Sequence, residues 1–110
     1  VQNFGAAGNG VFQGICCSAP EAIAYPLVLI IDKLNGASFS DAPAATERVD
    51  CNSYTILSED EMNLMKQTLY YTANYADSAI KGEEIVNMCA SYNPDATYAG
   101  LKDRVLNLGI

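Results

Sequence analysis

The sequence contains no histidine and no tryptophan, and only six of its 110 residues are basic. Histidine is the commonest general base and metal ligand, so its absence removes Ser-His and Cys-His catalytic pairs and predicts that the chain is not an enzyme. Thirteen acidic residues give a net charge of -7. This sign is wrong for binding a phosphate backbone or an anionic membrane surface, so no nucleic-acid partner is expected.

Long hydrophobic runs are also missing. The longest, residues 22–31, contains Pro26 and is about half the roughly 20 residues that a bilayer-spanning helix needs. Half of all residues are nevertheless apolar, which predicts a packed core and excludes disorder of the whole chain. The chain opens at Val1 with no secretory leader, so we expect a processed protein or a piece of a longer one.

Four cysteines, Cys16, Cys17, Cys51 and Cys89, leave two interpretations open. If they are oxidised, the bridges run from residue 16 or 17 to residue 51 or 89, because a bridge between vicinal cysteines is strained. If they are reduced, they are small apolar core residues. A zinc site is not expected, because only one pair is close and it lacks the roughly two to four intervening residues of zinc motifs.

An apolar run over residues 11–17 predicts the first strand. It is rich in strand formers and is closed by Ser18 and Pro20, a pattern typical of a parallel strand buried on both faces. Residues 49–57 predict one or two further short strands. Since the stretch between them is helical, the first half of the chain predicts one βαβ unit.

The intervening helix is predicted over residues 20–34. Ser18 is a good N-cap, Pro26 predicts a kink or a late start, and Asn35-Gly36 predicts a left-handed exit. Apolar residues cover nearly the whole circumference, which predicts burial on more than one side. The rest of the chain does not offer that cover, so a partner chain or a longer parent protein is expected.

Three more helices are predicted after residue 57, the first over about 59–74, the second ending near residue 91 and the third ending at Gly109. Ser58 and Glu61 form a capping box, in which the serine hydroxyl accepts from the third helical amide and the glutamate reaches back. The predicted N-caps, in chain order, are Ser58, Asp77 or Ser78, and Asp95 or Thr97.

An ordered set of segments carries a resemblance to a known family. The segments are GVFQGICCSAPEAIAYPLVLIIDKLNG (10–36), VDC (49–51), YTIL (54–57) and SEDEM (58–62). Together they resemble the closing part of bacterial periplasmic sugar-binding proteins of the type 1 fold. The resemblance implies an α/β fold class, in which residues 1–65 are part of the C-terminal lobe with its βαβ unit and residues 66–110 are a helical C-terminal extension.

The resemblance also implies a function. Such proteins bind a solute between two lobes, at the carboxyl ends of parallel strands, and deliver it to an ABC permease without chemistry. It implies an exported protein, either periplasmic or a cell-surface lipoprotein, whose partners are a sugar or related small solute and the permease, with no cofactor and no metal. A single piece of one lobe lacks the second wall of the cleft and is expected to bind weakly.

Three residues are candidate ligand contacts. The family position that often supplies a polar contact, two residues before the proline of the turn, falls on Ser18, and Cys17 and Asn9 lie at the same strand end and in the preceding loop. Helix capping is the alternative role for Ser18. A cluster of tyrosines either forms a sugar-binding wall or covers the core. These tyrosines are Tyr70, Tyr71, Tyr75, Tyr92 and Tyr98.

Two other functions stay open. One is the effector domain of a lactose-repressor-like regulator, which shares the fold and would follow a helix-turn-helix. The other is a free-standing, secreted, disulfide-stabilised helical protein that works by protein-protein contact. Acidic groups at 59–61 and 83–84 would suit a glycosidase, but they lie at helix starts, where the helix dipole explains them.

The solute-binding hypothesis requires that the strand ending at Cys17 lies within a sheet and points toward a crevice.

Overall fold

A computed structural model describes residues 14–18, 20–45, 47–68, 76 and 78–106. The elements in chain order are β1 Ile15–Ser18, a 3₁₀ turn Pro20–Ile23, α1 Ala24–Leu34, β2 Ser53–Ile56, α2 Glu59–Thr68, α3 Gly82–Met88 and α4 Tyr98–Leu106. Within these ranges, no helix is long and apolar enough to cross a membrane.

The two strands form an antiparallel pair, in which Ile15 lies opposite Ile56. The predicted parallel pairing is therefore wrong, and the described residues form no βαβ unit. Burial along β2 gives the physical reason. Tyr54 and Ile56 are buried whereas Ser53 and Thr55 are exposed, and this alternation is typical of an antiparallel ribbon with one face in water, not of a parallel strand buried on both faces.

The start of α1 is set by Pro26. The α-helix begins at Ala24, so the proline lies in the first turn, where its missing amide hydrogen costs nothing. The predicted late start is confirmed. Ser18 is the last residue of β1, and Ile23 occupies the N-cap position of α1 without a side-chain cap, so the predicted capping of this helix by Ser18 is wrong.

The end of α1 is a left-handed exit, as predicted. Gly36 has φ of 72°. Its amide donates to the Lys33 carbonyl at 3.2 Å, and the Ala37 amide donates to the Asp32 carbonyl at 2.8 Å. These two bonds are the pattern of a Schellman motif, in which glycine satisfies the last helical carbonyls.

We expect Gly36→Ala to lower the free energy of unfolding by about 1–2 kcal/mol, because an L-residue with a side chain is strained at positive φ. No atom lies within 4 Å of the added Cβ, so the whole effect is conformational. Gly36→Asn is the matched control and should lose less, because asparagine tolerates the left-handed region. Urea unfolding measures both changes, and equal stability of all three proteins would contradict the assigned exit.

The capping of α2 and α4 follows local sequence. Glu61 N donates to Ser58 Oγ at 3.2 Å, which confirms Ser58 as the cap, and Glu61 Oε2 accepts from the Leu57 amide at 2.7 Å. Gly100 N donates to Thr97 Oγ1 at 3.0 Å, so Thr97 is the cap of α4. Residues 69–75 lie outside the described part, so the predicted end of α2 near residue 74 stays a prediction.

Helix α3 is shorter than predicted at both ends. Its N-cap is Lys81, whose amide donates to Glu84 Oε1 at 3.4 Å, so the predicted cap at Ser78 is wrong, and Asp77 lies outside the described residues. At the other end, the amides of Ala90 and Ser91 bind the carboxylate of Asp32 instead of helical carbonyls. A contact with α1 therefore ends α3 early.

The core joins α1, α3 and α4. Its buried residues are Ala24, Val28, Phe39, Cys89, Tyr98, Leu101 and Val105. Cys16, Cys51 and Cys89 are all free thiols, and only Cys89 is buried. The interpretation of the cysteines as reduced core residues thus applies to Cys89, whose Sγ donates to the Ile85 carbonyl at 3.2 Å.

The outer side of α1 is uncovered. Ile23, Leu27, Ile30 and Leu34 recur at spacings of four, three and four residues, which places them in one stripe, and their exposed fractions are 71%, 40%, 55% and 81%. Among the residues that the structure describes, this helix is buried on one side, so the predicted burial on more than one side is not seen there. The expectation that a partner chain or a longer parent protein covers this helix stays a prediction.

Asp32 is the buried polar link between α1 and the turn after α3. Its Oδ2 accepts from Ala90 N at 2.8 Å, and its Oδ1 accepts from Ser91 N at 2.9 Å and from Ser91 Oγ at 2.6 Å. The residue is 2% exposed. These three donors satisfy a carboxylate that burial would otherwise disfavour.

Acid is expected to weaken this link. Burial raises the pKa of Asp32, but the hydrogen bonds from Ser91 and Ala90 outweigh it and hold the pKa below the ordinary carboxyl value. Because the pKa of Asp32 is lower in the folded than in the unfolded protein, its ionised carboxylate stabilises the fold at pH values above the unfolded-state pKa. This stabilisation is lost as the pH falls through the folded-state pKa. Urea unfolding between neutral and acidic pH should therefore show a smaller pH dependence for Asp32→Asn than for the native chain, and equal slopes would contradict the assigned shift.

Candidate functional site

The three residues predicted to contact a ligand do not form a described site. Cys17 and Ser18 lie in β1 and pair with Tyr54 and Ser53 of β2, while Asn9 lies outside the described residues. Because the pairing is antiparallel, the carboxyl end of β1 does not meet that of a parallel neighbour. The crevice on which those predicted contacts depended is therefore not formed by the described part of the chain.

A cleft of about 370 Å³ opens elsewhere, between α1, the following loop and the start of α4. Tyr25 and Leu29 of α1 form one wall and Tyr98 of α4 forms another, while residues 42–45 and Glu47 form the rim. The lining combines aromatic rings, small apolar side chains and one carboxylate. This combination is typical of small-molecule sites, where a few polar groups orient a ligand against apolar walls.

Three side chains in the cleft form one hydrogen-bonded chain. The hydroxyl of Tyr98 donates to Glu47 Oε1 at 2.7 Å. The hydroxyl of Tyr25 lies 2.6 Å from that of Tyr98, and since the single proton of Tyr98 goes to Glu47, Tyr25 is the donor in this contact. Lys102 Nζ also donates to Glu47 Oε1, at 2.5 Å. These hydrogen bonds together fix both phenols and the carboxylate in position.

The ring of Tyr98 is held from several sides. Its centroid lies 6.1 Å from that of Tyr25 and 6.3 Å from that of Phe39, with interplanar angles of 59° and 55°. Such tilted arrangements are favourable for aromatic pairs. The ammonium of Lys102 lies 5.3 Å from the same centroid, within the range of a cation-π contact.

Asp41 attaches the loop to α4. Its Oδ1 accepts from Tyr98 N at 2.7 Å and its Oδ2 accepts from Ala99 N at 3.0 Å. These amides of Ala99 and Tyr98 lower the pKa of Asp41, as expected for a carboxylate at a helix N-terminus. The contact positions residues 42–45, which immediately follow Asp41, as the rim of the cleft.

Hydrogen bonds and burial at the cleft set the protonation states of Glu47, Tyr98 and the neighbouring Lys102. The hydrogen bond from Lys102 lowers the pKa of Glu47, and the bond from Tyr98 adds to this effect. The bond to Glu47 raises the pKa of Lys102. Burial raises the pKa of Tyr98, and its bonds with Tyr25 and Glu47 raise it further. Near neutral pH the cleft thus holds the Glu47 carboxylate, whose ion-pair partner Lys102 lies beside the cleft, and a neutral Tyr98 phenol.

Sequence reasoning identified this site only in part. Tyr98 belongs to the tyrosine cluster considered as a binding wall, whereas Tyr92 is exposed and Tyr70, Tyr71 and Tyr75 lie outside the described residues. Tyr25 and Glu47 were missed, because one lies in an apolar helix and the other in a loop without a motif. Among the described residues, no group of three or more histidine, cysteine, aspartate or glutamate side chains is arranged to hold a metal ion.

Comparisons with protein-family models, with characterised proteins and with solved structures find no match for this chain. A functional assignment therefore depends on the geometry of the cleft.

Proposed function

We propose that this chain binds a small polar solute, of about the size of a monosaccharide, in the cleft between Tyr25, Glu47 and Tyr98. The carrying observation is the hydrogen-bonded chain of two phenols and one carboxylate in the wall of a cleft of about 370 Å³. That volume lies near the lower end of the roughly 300–1,000 Å³ typical of ligand pockets, so a compact ligand fits best.

The polar groups that a solute would meet are acceptors. Among the described residues, hydrogen bonds to Glu47 involve only its Oε1, so Oε2 is available to accept from a ligand hydroxyl. The Tyr25 hydroxyl gives its proton to Tyr98 and keeps lone pairs for the ligand. Because these groups are already held in place, binding loses little side-chain entropy.

The apolar part of the lining supports a sugar-like ligand. Leu29, residues 42–45 and the two tyrosine rings offer surfaces for C–H groups. A sugar presents C–H faces together with hydroxyl donors, and so matches both parts of the wall. Reversible capture without chemistry is the resulting activity.

The solute class agrees with the resemblance to periplasmic sugar-binding proteins, but the proposed site differs from the strand end which that resemblance implied. An exported parent protein with an ABC permease as its partner is the wider setting of this proposal. Capture by the chain alone is expected to be weak, because the cleft is open on one side.

Amide chemical-shift mapping with a panel of monosaccharides and polyols tests the proposal. Binding should shift resonances of residues 42–47 and 98–102, and Tyr25→Phe and Glu47→Gln should each weaken it about tenfold, the effect of losing one hydrogen bond of ~1.4 kcal/mol. Tyr92→Phe is the matched control, because Tyr92 is exposed and outside the cleft. Shifts spread over the surface, or none with any sugar, nucleoside or polyol, would contradict the proposal.

A further inference from the structure

Lys102 already occupies a site suited to an ammonium group. Its Nζ lies 2.5 Å from Glu47 Oε1 and 5.3 Å from the ring centroid of Tyr98. A carboxylate and an aromatic face at such distances are the two groups that proteins use to recognise primary and quaternary amines. The protein thus occupies a site suited to an amine with the ammonium group of its own Lys102.

The internal ammonium is held loosely enough to leave. The side chains of Lys102 and Glu47 are 37% and 36% exposed. Ion pairs with this much solvent are weak, since water competes for both charges and a long lysine side chain gains freedom on release. Tyr98 is different, because it is buried and anchored by its neighbours, so its ring stays in place when Lys102 moves.

A second cleft, of about 430 Å³, offers a place for the displaced lysine. Lys102 lines it together with the carboxylates of Asp41, Asp50 and Asp103. Glu47 lines only the first cleft, and Tyr98 lines both. Lys102 already borders this second cleft, so rotation of its side chain away from Glu47 and further toward these carboxylates would free the Glu47 carboxylate and the Tyr98 ring face for a ligand.

We propose that the bound solute carries a protonated primary amine, which replaces the ammonium of Lys102 on Glu47 and on the ring of Tyr98. An amino sugar combines this group with the hydroxyls and C–H faces that the remaining wall accommodates. The net charge of -7 favours the approach of a cation to the chain. The inference rests on the proposed solute-binding function and names the ligand class for the same cleft.

Three related sugars test the inference on the full chain. Glucosamine carries the amine, glucose replaces it by a hydroxyl, and N-acetylglucosamine keeps the nitrogen but removes the charge. We expect glucosamine to bind about tenfold more tightly than the other two, with a preference that decreases as salt is added. Glu47→Gln should abolish the preference.

The Lys102→Met variant tests whether the ligand amine displaces the Lys102 ammonium, because methionine keeps much of the aliphatic stem and removes the competing charge. Glucosamine affinity should rise several-fold in this variant while glucose affinity stays unchanged. Lys66→Met is the matched control, since Lys66 is an exposed lysine of α2 outside both clefts. Lys102→Gln is the second variant and should show the same direction.

The outcomes separate the two proposals. Equal or weaker binding of glucosamine relative to glucose, or unchanged glucosamine affinity in both Lys102 variants, overturns the amine inference and leaves solute binding in place. No binding of any of the three probes, to the native chain or to either variant, overturns both.

Discussion

Replacing Asp32 by alanine is expected to lower the free energy of unfolding by about 3–5 kcal/mol, the range for breaking a buried charged network. The substitution leaves two backbone amides and the Ser91 hydroxyl without their acceptor at a partly buried contact. Proteins of this size are stable by only ~5–15 kcal/mol. Urea unfolding followed by far-ultraviolet circular dichroism should therefore show a large shift of the midpoint.

Two further variants separate the hydrogen bonds of Asp32 from the general effect of removing an acidic residue. Asp95→Ala removes an exposed carboxylate and should change stability by less than about 0.5 kcal/mol. Ser91→Ala removes only the hydroxyl donor and should lose about 1 kcal/mol. An Asp32→Ala protein that unfolds at the same urea concentration as the Asp95→Ala protein would show that the Asp32 link does not hold α1 against α3.

Leu101→Ala is the second large effect, with an expected loss of about 2–5 kcal/mol. Leu101 is 1% exposed and lies in the cluster where α4 packs on α1. Truncation leaves a cavity in a region that has little freedom to collapse, because Val28, Cys89 and Val105 fill the same core. The free energy of unfolding from urea titration measures the loss.

Leu34→Ala is the control for this change, because it removes the same atoms from a side chain that is 81% exposed. Its expected effect is within about 0.5 kcal/mol. Equal losses for the two variants would mean that the stripe on the outer side of α1 is as well covered as the core, which would contradict the exposure of that stripe.

Tyr98 contributes both to the core and to the proposed solute-binding cleft, and this limits which variants can test the proposed function. The residue belongs to the core cluster and also lines the cleft, so changing it alters both properties. Tyr25 and Glu47 lie at the cleft with greater exposure. Substitutions that remove only the Tyr25 hydroxyl or the Glu47 charge are therefore the better probes of solute binding.

Local features were predictable because their causes lie within a few residues. The late start of α1 follows from Pro26, and the exit at Gly36 follows from the freedom of glycine at positive φ. Ser58 and Thr97 cap their helices through amides three residues onward. Each of these depends on backbone geometry that a short peptide already has.

The direction of strand pairing was not predictable in the same way. The sequence pattern of residues 11–17 and 49–57 is compatible with either parallel or antiparallel pairing, because a short apolar run does not specify the direction of the neighbouring strand. The chain path between the strands decides the direction, and here it brings Ser53 opposite Ser18. The predicted ligand contacts at Cys17, Ser18 and Asn9 depended on a parallel sheet edge, and they stay a prediction because Asn9 lies outside the described residues.

The sequence by itself determined where α1 ends, that Pro26 kinks this helix or delays its start, that Ser58 caps α2, and that Asp95 or Thr97 caps α4. Tertiary structure alone decided the ends of α3, the antiparallel ribbon and the cleft. Asp32 meets Ser91 across 59 positions, and Tyr98 meets Glu47 across 51 and Tyr25 across 73. Such contacts depend on how whole helices pack, and no local pattern of residues encodes that packing.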